Sequence, residues 1–148
     1  MPFVKRHASL VGFFEACLDT VCIGLGHAAA LYWLSPVQSL VELRERFMEN
    51  IGHVALFVLV WLGAAMDQRL FSSRRGETLG EQLLAITKAV GVTIVFTGFL
   101  IVFFSRQTLD QEFLLYAGAF TLVLLLLYRS AARLLIWRVR RHGYNYRQ

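Results

Sequence analysis

The last part of the chain passes abruptly from an apolar run to an arginine-rich one. Residues 113–127 contain no charged side chain, whereas residues 128–148 contain six arginines and no acidic residue. An uncharged run followed by clustered cations is typical of a membrane helix that leaves the bilayer on its cytoplasmic side. This feature predicts an integral membrane protein with a cytoplasmic C-terminus.

Composition favours several membrane spans. Hydrophobic residues make up 57% of the chain and charged residues 17%, which is below the ~25% charged fraction of soluble domains. The apolar residues fall into four blocks, at about 10–34, 51–66, 83–104 and 113–127. At 1.5 Å per residue each block can cross a ~30 Å hydrocarbon core with some tilt or helical extension. We therefore expect an all-α fold, a four-helix transmembrane bundle over residues 1–136, and a basic linker over 137–148.

Lysine and arginine are distributed unequally between the two sides of these spans. Eleven lie on the side of the two termini and three on the other, with Lys88 set apart because it falls inside the third block. The positive-inside rule then places both termini in the cytoplasm. Because most of the net charge of +5 flanks apolar blocks, anionic headgroups explain it. Membrane lipids are the expected partners, and nucleic acid is not.

The segment between the first two blocks, VQSLVELRERFMEN, is amphipathic. Leu40, Leu43 and Phe47 recur at helical spacing, and acidic and basic residues occupy the opposite face. This pattern predicts a helix that extends the second span outward or lies on the headgroups.

Ionisable residues within the apolar blocks are candidates for function, because burying charge in a bilayer is costly. Glu15 and Asp19 are four residues apart and so share one face of the first helix. Lys88 and Arg129 lie at a comparable predicted depth. A structural ion pair from the first helix to one of these cations is the preferred interpretation. The alternative is a proton or ion relay through Glu15, Asp19 and His27 in a free-standing small transporter.

No constellation of residues predicts a catalytic centre, a metal site or a cofactor in this chain. There is no glycine-rich phosphate loop and no nucleophile set beside a base. His27 and His53 raise the alternative of haem ligation. Their predicted depths differ by on the order of 8 Å, so packing roles are expected for both.

Aromatic and small residues predict how the spans meet lipid and one another. Trp33, Trp61 and Trp137 fall mostly near predicted interfaces and are interpreted as an aromatic belt. Gly91 and Gly98, seven residues apart, indicate close helix contact, either within the chain or between copies.

The order of features resembles the N-terminal membrane domain of bacterial polyprenyl glycosylphosphotransferases. The resemblance rests on four spans, on LFSSRRGETLGEQL at the end of the second, on the turn SRQTLDQEF, and on the final YRSAARLLIWRVRRHGYNYRQ. Its most specific part is an R-x-x-G-x-N-x-R motif formed by Arg140, Gly143, Asn145 and Arg147. In that family this motif leads into a cytoplasmic nucleotide-binding-like domain.

The resemblance implies a role in initiating exopolysaccharide, capsule or O-antigen synthesis at the bacterial inner membrane. Such enzymes transfer a sugar 1-phosphate from a UDP-sugar to undecaprenyl phosphate, using Mg²⁺ and an Asp-Glu dyad in a C-terminal catalytic domain. That domain lies outside this chain, which we therefore expect to be a fragment without catalytic residues or a cofactor of its own. Its implied work is anchoring and oligomer contact, with undecaprenyl phosphate and a second copy as candidate partners. The residues expected against anionic headgroups are Arg133, Arg138, Arg140 and Arg141.

Overall fold

The computed structural model describes residues 3–34, 39–71, 78–105 and 111–141, and this part of the chain is helical apart from short connections. The helices are α1 (Phe3–Leu34), α2 (Leu40–Glu49), α3 (Ile51–Asp67), α4 (Leu79–Ser105) and α5 (Gln111–Arg141). The all-α prediction is thereby confirmed. Three helices are long and apolar enough to cross a membrane, through the stretches Gly12–Leu34, Leu79–Phe103 and Glu112–Leu135.

The amphipathic segment forms a separate helix, α2, that meets α3 at a sharp bend. The two axes differ by 63°, and a fourth span exists only if this bent pair is counted as one. Asn50 lies at the bend, where its side-chain amide donates a hydrogen bond to the Arg46 carbonyl over 2.9 Å. The Asn50 backbone amide donates to the same carbonyl over 3.2 Å, so Asn50 caps the end of α2 with both its side chain and its backbone. The outward segment is therefore not a straight extension of the second span.

The long helices form a ring in which neighbours run antiparallel. Helix α1 packs on α3 and α5, and α4 packs on the same two helices, so that α1 and α4 are diagonal and do not touch within the described residues. Two contacts in each pair of helices show this, because residue numbers rise along one helix and fall along the other. The contacts are Asp19–Arg129 and His27–Phe113 for α1 and α5, Asp19–Trp61 and His27–Phe57 for α1 and α3, and Gln82–Arg133 and Ile94–Gly118 for α4 and α5. The start of α1 and the end of α5 therefore lie at the same end of the bundle.

Helix α3 shows how the sequence sorts its faces. Its buried side chains, Val54, Phe57, Trp61 and Ala65, recur every three or four residues and so form one stripe toward the core. Large apolar side chains on the outer faces, such as Phe103 on α4, remain exposed. Apolar side chains on the outer surface are expected where lipid, rather than water, surrounds the helices.

Helices α1 and α5 cross closely. A Cβ placed on Gly26 would come within 2.8 Å of the Thr121 backbone nitrogen and 3.0 Å of its Cα. Glycine at this position therefore allows the two backbones to approach. By contrast, a Cβ on Gly91 meets nothing within 4 Å, so Gly91 faces outward and makes no close helix contact within the described residues; a contact between copies there stays a prediction.

Both ends of the connection between α3 and α4 are fixed by capping. At the start of α4, Thr78 and Glu81 form a reciprocal capping box: the Thr78 amide donates to Glu81 and the Glu81 amide to the Thr78 hydroxyl. At the end of α3, the Arg69 amide donates to the Met66 carbonyl and the Leu70 amide to the Ala65 carbonyl. This second pattern is a Schellman motif, which ends the helix and satisfies its last carbonyls.

Arg69 occupies the motif's left-handed position, with φ of 51°, where an L side chain is strained. We expect Arg69→Gly to be more stable than Arg69→Ala by about 1 kcal/mol, because both lose the arginine side chain and only glycine relieves the backbone. SDS-induced unfolding in mixed micelles, followed by tryptophan fluorescence, measures the difference. Equal stabilities would show that the positive φ costs nothing here.

Candidate functional site

An ion pair is buried between the first and last helices of the bundle. The Arg129 Nη2 atom donates a hydrogen bond to Asp19 Oδ2 over 2.7 Å, and the two side chains are 4% and 0% exposed. The Trp61 indole nitrogen donates to the same carboxylate oxygen over 3.2 Å. Asp19 is thus held from both α5 and α3, and charge-assisted bonds of this kind are among the strongest in proteins.

Arg129 also joins the pair to the connection between α3 and α4. Its Nη1 atom donates to the Leu70 carbonyl over 3.3 Å. Its guanidinium carbon lies 5.9 Å from the centroid of the Phe71 ring and 5.8 Å from that of Tyr128, distances at which cation–π attraction operates. Because Leu70 follows the left-handed turn at Arg69, the shape of that turn positions the acceptor for Arg129.

Three atoms around the pair are buried without a hydrogen-bond partner among the described residues. They are Asp19 Oδ1, Arg129 Nε and the Tyr128 hydroxyl; the hydroxyl lies beside the Asp19 carboxylate but outside hydrogen-bond geometry. Unpaired polar atoms make burial of the cluster costly. Removing one of the two charges would therefore leave the other buried with still fewer partners.

Two of the four residues predicted to take part in the intramembrane ion pair form it. Asp19 and Arg129 meet, and Glu15, half-buried one turn earlier on α1, faces the same cation at longer range. Lys88 is exposed on α4, the helix diagonal to α1, so it lies away from both acids. Helix order around the ring, rather than depth, decides which cation is used.

The histidines occupy packing positions. His27 is buried, with its Nδ1 atom 2.9 Å from the Ile23 carbonyl, which makes that nitrogen the donor. Its ring packs edge-on against Phe57 and Phe113 at centroid distances of 5.0 and 5.8 Å. His53 lies beside Asn50, at 3.2 Å. Across the described residues, no three His, Cys, Asp or Glu side chains converge as metal ligands.

The basic residues at the end of α5 begin immediately beyond the ion pair. Arg133, one turn after Arg129, donates to Gln82 Oε1 over 3.0 Å and ties α5 to α4. Arg138 is exposed. Arg140 and Arg141 belong to the same helix, whereas Gly143, Asn145 and Arg147 of the family motif lie outside the described residues.

Two participants in the site were not predicted from the sequence. Trp61, expected in an aromatic belt, is instead fully buried as a donor to Asp19, so that prediction is wrong for this residue. Trp61 recurs at helical spacing with Val54, Phe57 and Ala65, and this pattern could have predicted that Trp61 is buried. The Leu70 carbonyl could not be predicted from residue type, because its role as an acceptor depends on the shape of the turn before it.

Comparison of the chain with models of protein families, with curated proteins and with solved structures found no match.

Proposed function

We propose that this chain is the membrane-anchoring domain of an enzyme that transfers a sugar 1-phosphate from a UDP-sugar to undecaprenyl phosphate, thereby initiating exopolysaccharide, capsule or O-antigen synthesis. The domain itself carries no catalytic group. Its role is to hold a cytoplasmic catalytic domain, with its Mg²⁺, at the membrane surface and to supply contacts between copies. The proposal extends the resemblance carried by Arg140, Gly143, Asn145 and Arg147.

The observation that carries this proposal is the continuity of α5. The helix runs unbroken from Gln111 to Arg141, whereas its apolar stretch ends at Leu135. At 1.5 Å per residue the last six residues extend about 9 Å beyond that stretch. A single helix fixed in the bundle at Arg129 and projecting past the apolar region is suited to position a following domain.

The proposed topology has four spans, with the bent α2–α3 pair as the second and both termini in the cytoplasm of a bacterial inner membrane. The antiparallel ring supports it, since the start of α1, the end of α3, the start of α4 and the end of α5 lie together. Among the described residues, Lys5, Arg6, Arg69 and the five arginines of α5 belong to elements at this end. Arg133, Arg138, Arg140 and Arg141 are proposed to contact anionic headgroups there.

The alternative of a proton or ion relay has less support from the geometry. A relay group must gain and lose its proton along a path, whereas Asp19 is held by Arg129 and Trp61. His27 is eight residues farther along α1, about 12 Å away along the helix axis, and its ring is enclosed by two phenylalanines. This arrangement favours a structural role for the charges.

The proposed activity is tested with the complete reading frame. Membranes expressing the frame as it continues beyond Gln148 should transfer labelled sugar phosphate from a UDP-sugar to added undecaprenyl phosphate, and membranes expressing residues 1–148 alone should not. A stop codon directly after Gln148, or no transfer with a panel of UDP-sugars by a well-expressed full-length product, would contradict the proposal.

The proposed orientation predicts the effect of reversing charge at the end of α5. Replacing Arg138, Arg140 and Arg141 with Glu should lower correct insertion several-fold, because each basic residue near an anionic surface is worth about 1 kcal/mol. A C-terminal reporter that is active only in the cytoplasm measures this. The matched control replaces Arg44 and Arg46, on the opposite side, and should leave the signal unchanged. Equal signals from both variants would show that these arginines do not determine the orientation of the protein.

A further inference from the structure

A second candidate site lies outside the ion pair, in a groove between α1 and α2. The groove is open at its surface and has a volume of about 390 Å³. From α1 it is lined by Val21, Gly24, Leu25 and Ala28, positions that recur at helical spacing in the middle of the apolar stretch Gly12–Leu34. Two of these side chains, Val21 and Leu25, are more than half exposed. The groove therefore presents an uncovered apolar surface at membrane depth.

Helix α2 supplies the opposite wall and its charge. Leu43 and Phe47 line the groove, and Arg44 is the single charged residue among its lining residues. Arg44 also lines an adjoining depression on α2 with Glu45 and Glu49. Within the described residues these three charges have no ion-pair partner, unlike Arg46, which pairs with Glu42 at 2.6 Å. An apolar groove thus leads to an unpaired cation flanked by two unpaired acids.

We propose that this groove binds one glycerophospholipid, with an acyl chain between α1 and α2, its phosphate on Arg44, and the primary ammonium of an ethanolamine-type headgroup near Glu45 and Glu49. Charge complementarity supports this assignment, since a phosphate with a neighbouring ammonium matches one arginine beside two acids. The apolar lining at membrane depth requires a hydrocarbon occupant. The inference rests on the membrane placement of the helices and not on the proposed transferase function.

The groove is open at its surface, so an occupant need not lie wholly within it. A flexible hydrocarbon chain can follow the groove without moving α2. The open space at Gly24, where an added Cβ meets nothing within 4 Å, keeps the passage clear.

Two substitutions test the site independently. Gly24→Leu should fill the groove without disturbing helix packing, and Arg44→Gln should remove the phosphate contact. The matched controls are Gly91→Leu, at another open glycine on an outward face, and Arg46→Gln, two residues along the same helix but paired with Glu42. Unfolding measurements on all four variants confirm that each is folded.

Native mass spectrometry of the protein, purified in mild detergent and titrated with phosphatidylethanolamine or phosphatidylglycerol, gives the readout. The parent and both controls should retain one phosphatidylethanolamine in preference to phosphatidylglycerol. Each test variant should bind it about tenfold more weakly, the loss expected for one charge-assisted hydrogen bond or for blocked chain insertion. Equal retention by Gly24→Leu and Gly91→Leu would overturn the site. Loss of a dimer in Gly24→Leu, with no lipid bound to the parent, would assign the groove to a second copy instead.

Discussion

Arg129→Met is expected to lower the free energy of unfolding by about 3–5 kcal/mol, because it leaves the Asp19 carboxylate buried and without its cation. Asp19→Leu should cost a similar amount by leaving the guanidinium unpaired. The double variant should recover much of this loss, since a buried pair replaced by apolar side chains of similar volume is often tolerated. The three variants and the parent form a double-mutant cycle that SDS unfolding can measure.

The matched control for this cycle is Arg133→Met. Arg133 lies one turn farther along α5 and is only half-buried, with a hydrogen bond to Gln82. Its replacement should cost no more than about 1 kcal/mol. Additive losses in the Asp19 and Arg129 double variant would show that the two charges are not coupled, and would refute the role assigned to the pair.

Gly26→Ala should destabilise the bundle by about 1–3 kcal/mol, the usual cost of overpacking. The new methyl group would meet the backbone of Thr121, which cannot turn aside as a side chain can. The helices α1 and α5 must therefore separate, and the nearby pair of Asp19 and Arg129 should loosen with them. Unfolding measurements report the loss, and increased exposure of Trp61 reports the separation.

Gly24→Ala, two residues earlier on α1, is the control for this prediction. A Cβ there meets no atom within 4 Å, so alanine should stabilise α1 slightly through its higher helix propensity. Thr121→Ala should fail to rescue Gly26→Ala fully, because the backbone contacts remain. Full rescue would trace the clash to the hydroxyl alone, and equal effects at Gly24 and Gly26 would contradict the close crossing.

The sequence allowed the helices to be placed more accurately than the contacts between them. The predicted blocks at 51–66 and 83–104 correspond closely to α3 and α4, because runs of apolar residues have few other structures available in a membrane. The bend at Asn50 was missed because it depends on local capping bonds. Predicted depth in the membrane made both Lys88 and Arg129 possible partners for Asp19. The order of helices around the ring places Arg129, and not Lys88, beside it.

The lock between Asp19 and Arg129 also constrains the order in which the protein is made. The two residues are 110 positions apart in the sequence. At about 5–20 residues per second, Arg129 is synthesised roughly 5–20 s after Asp19. During that interval the nascent first helix holds an acid without its partner, and the ring cannot close. Closure of the ring therefore requires the last helix, and chains interrupted before residue 129 would keep an acid on α1 without its cation.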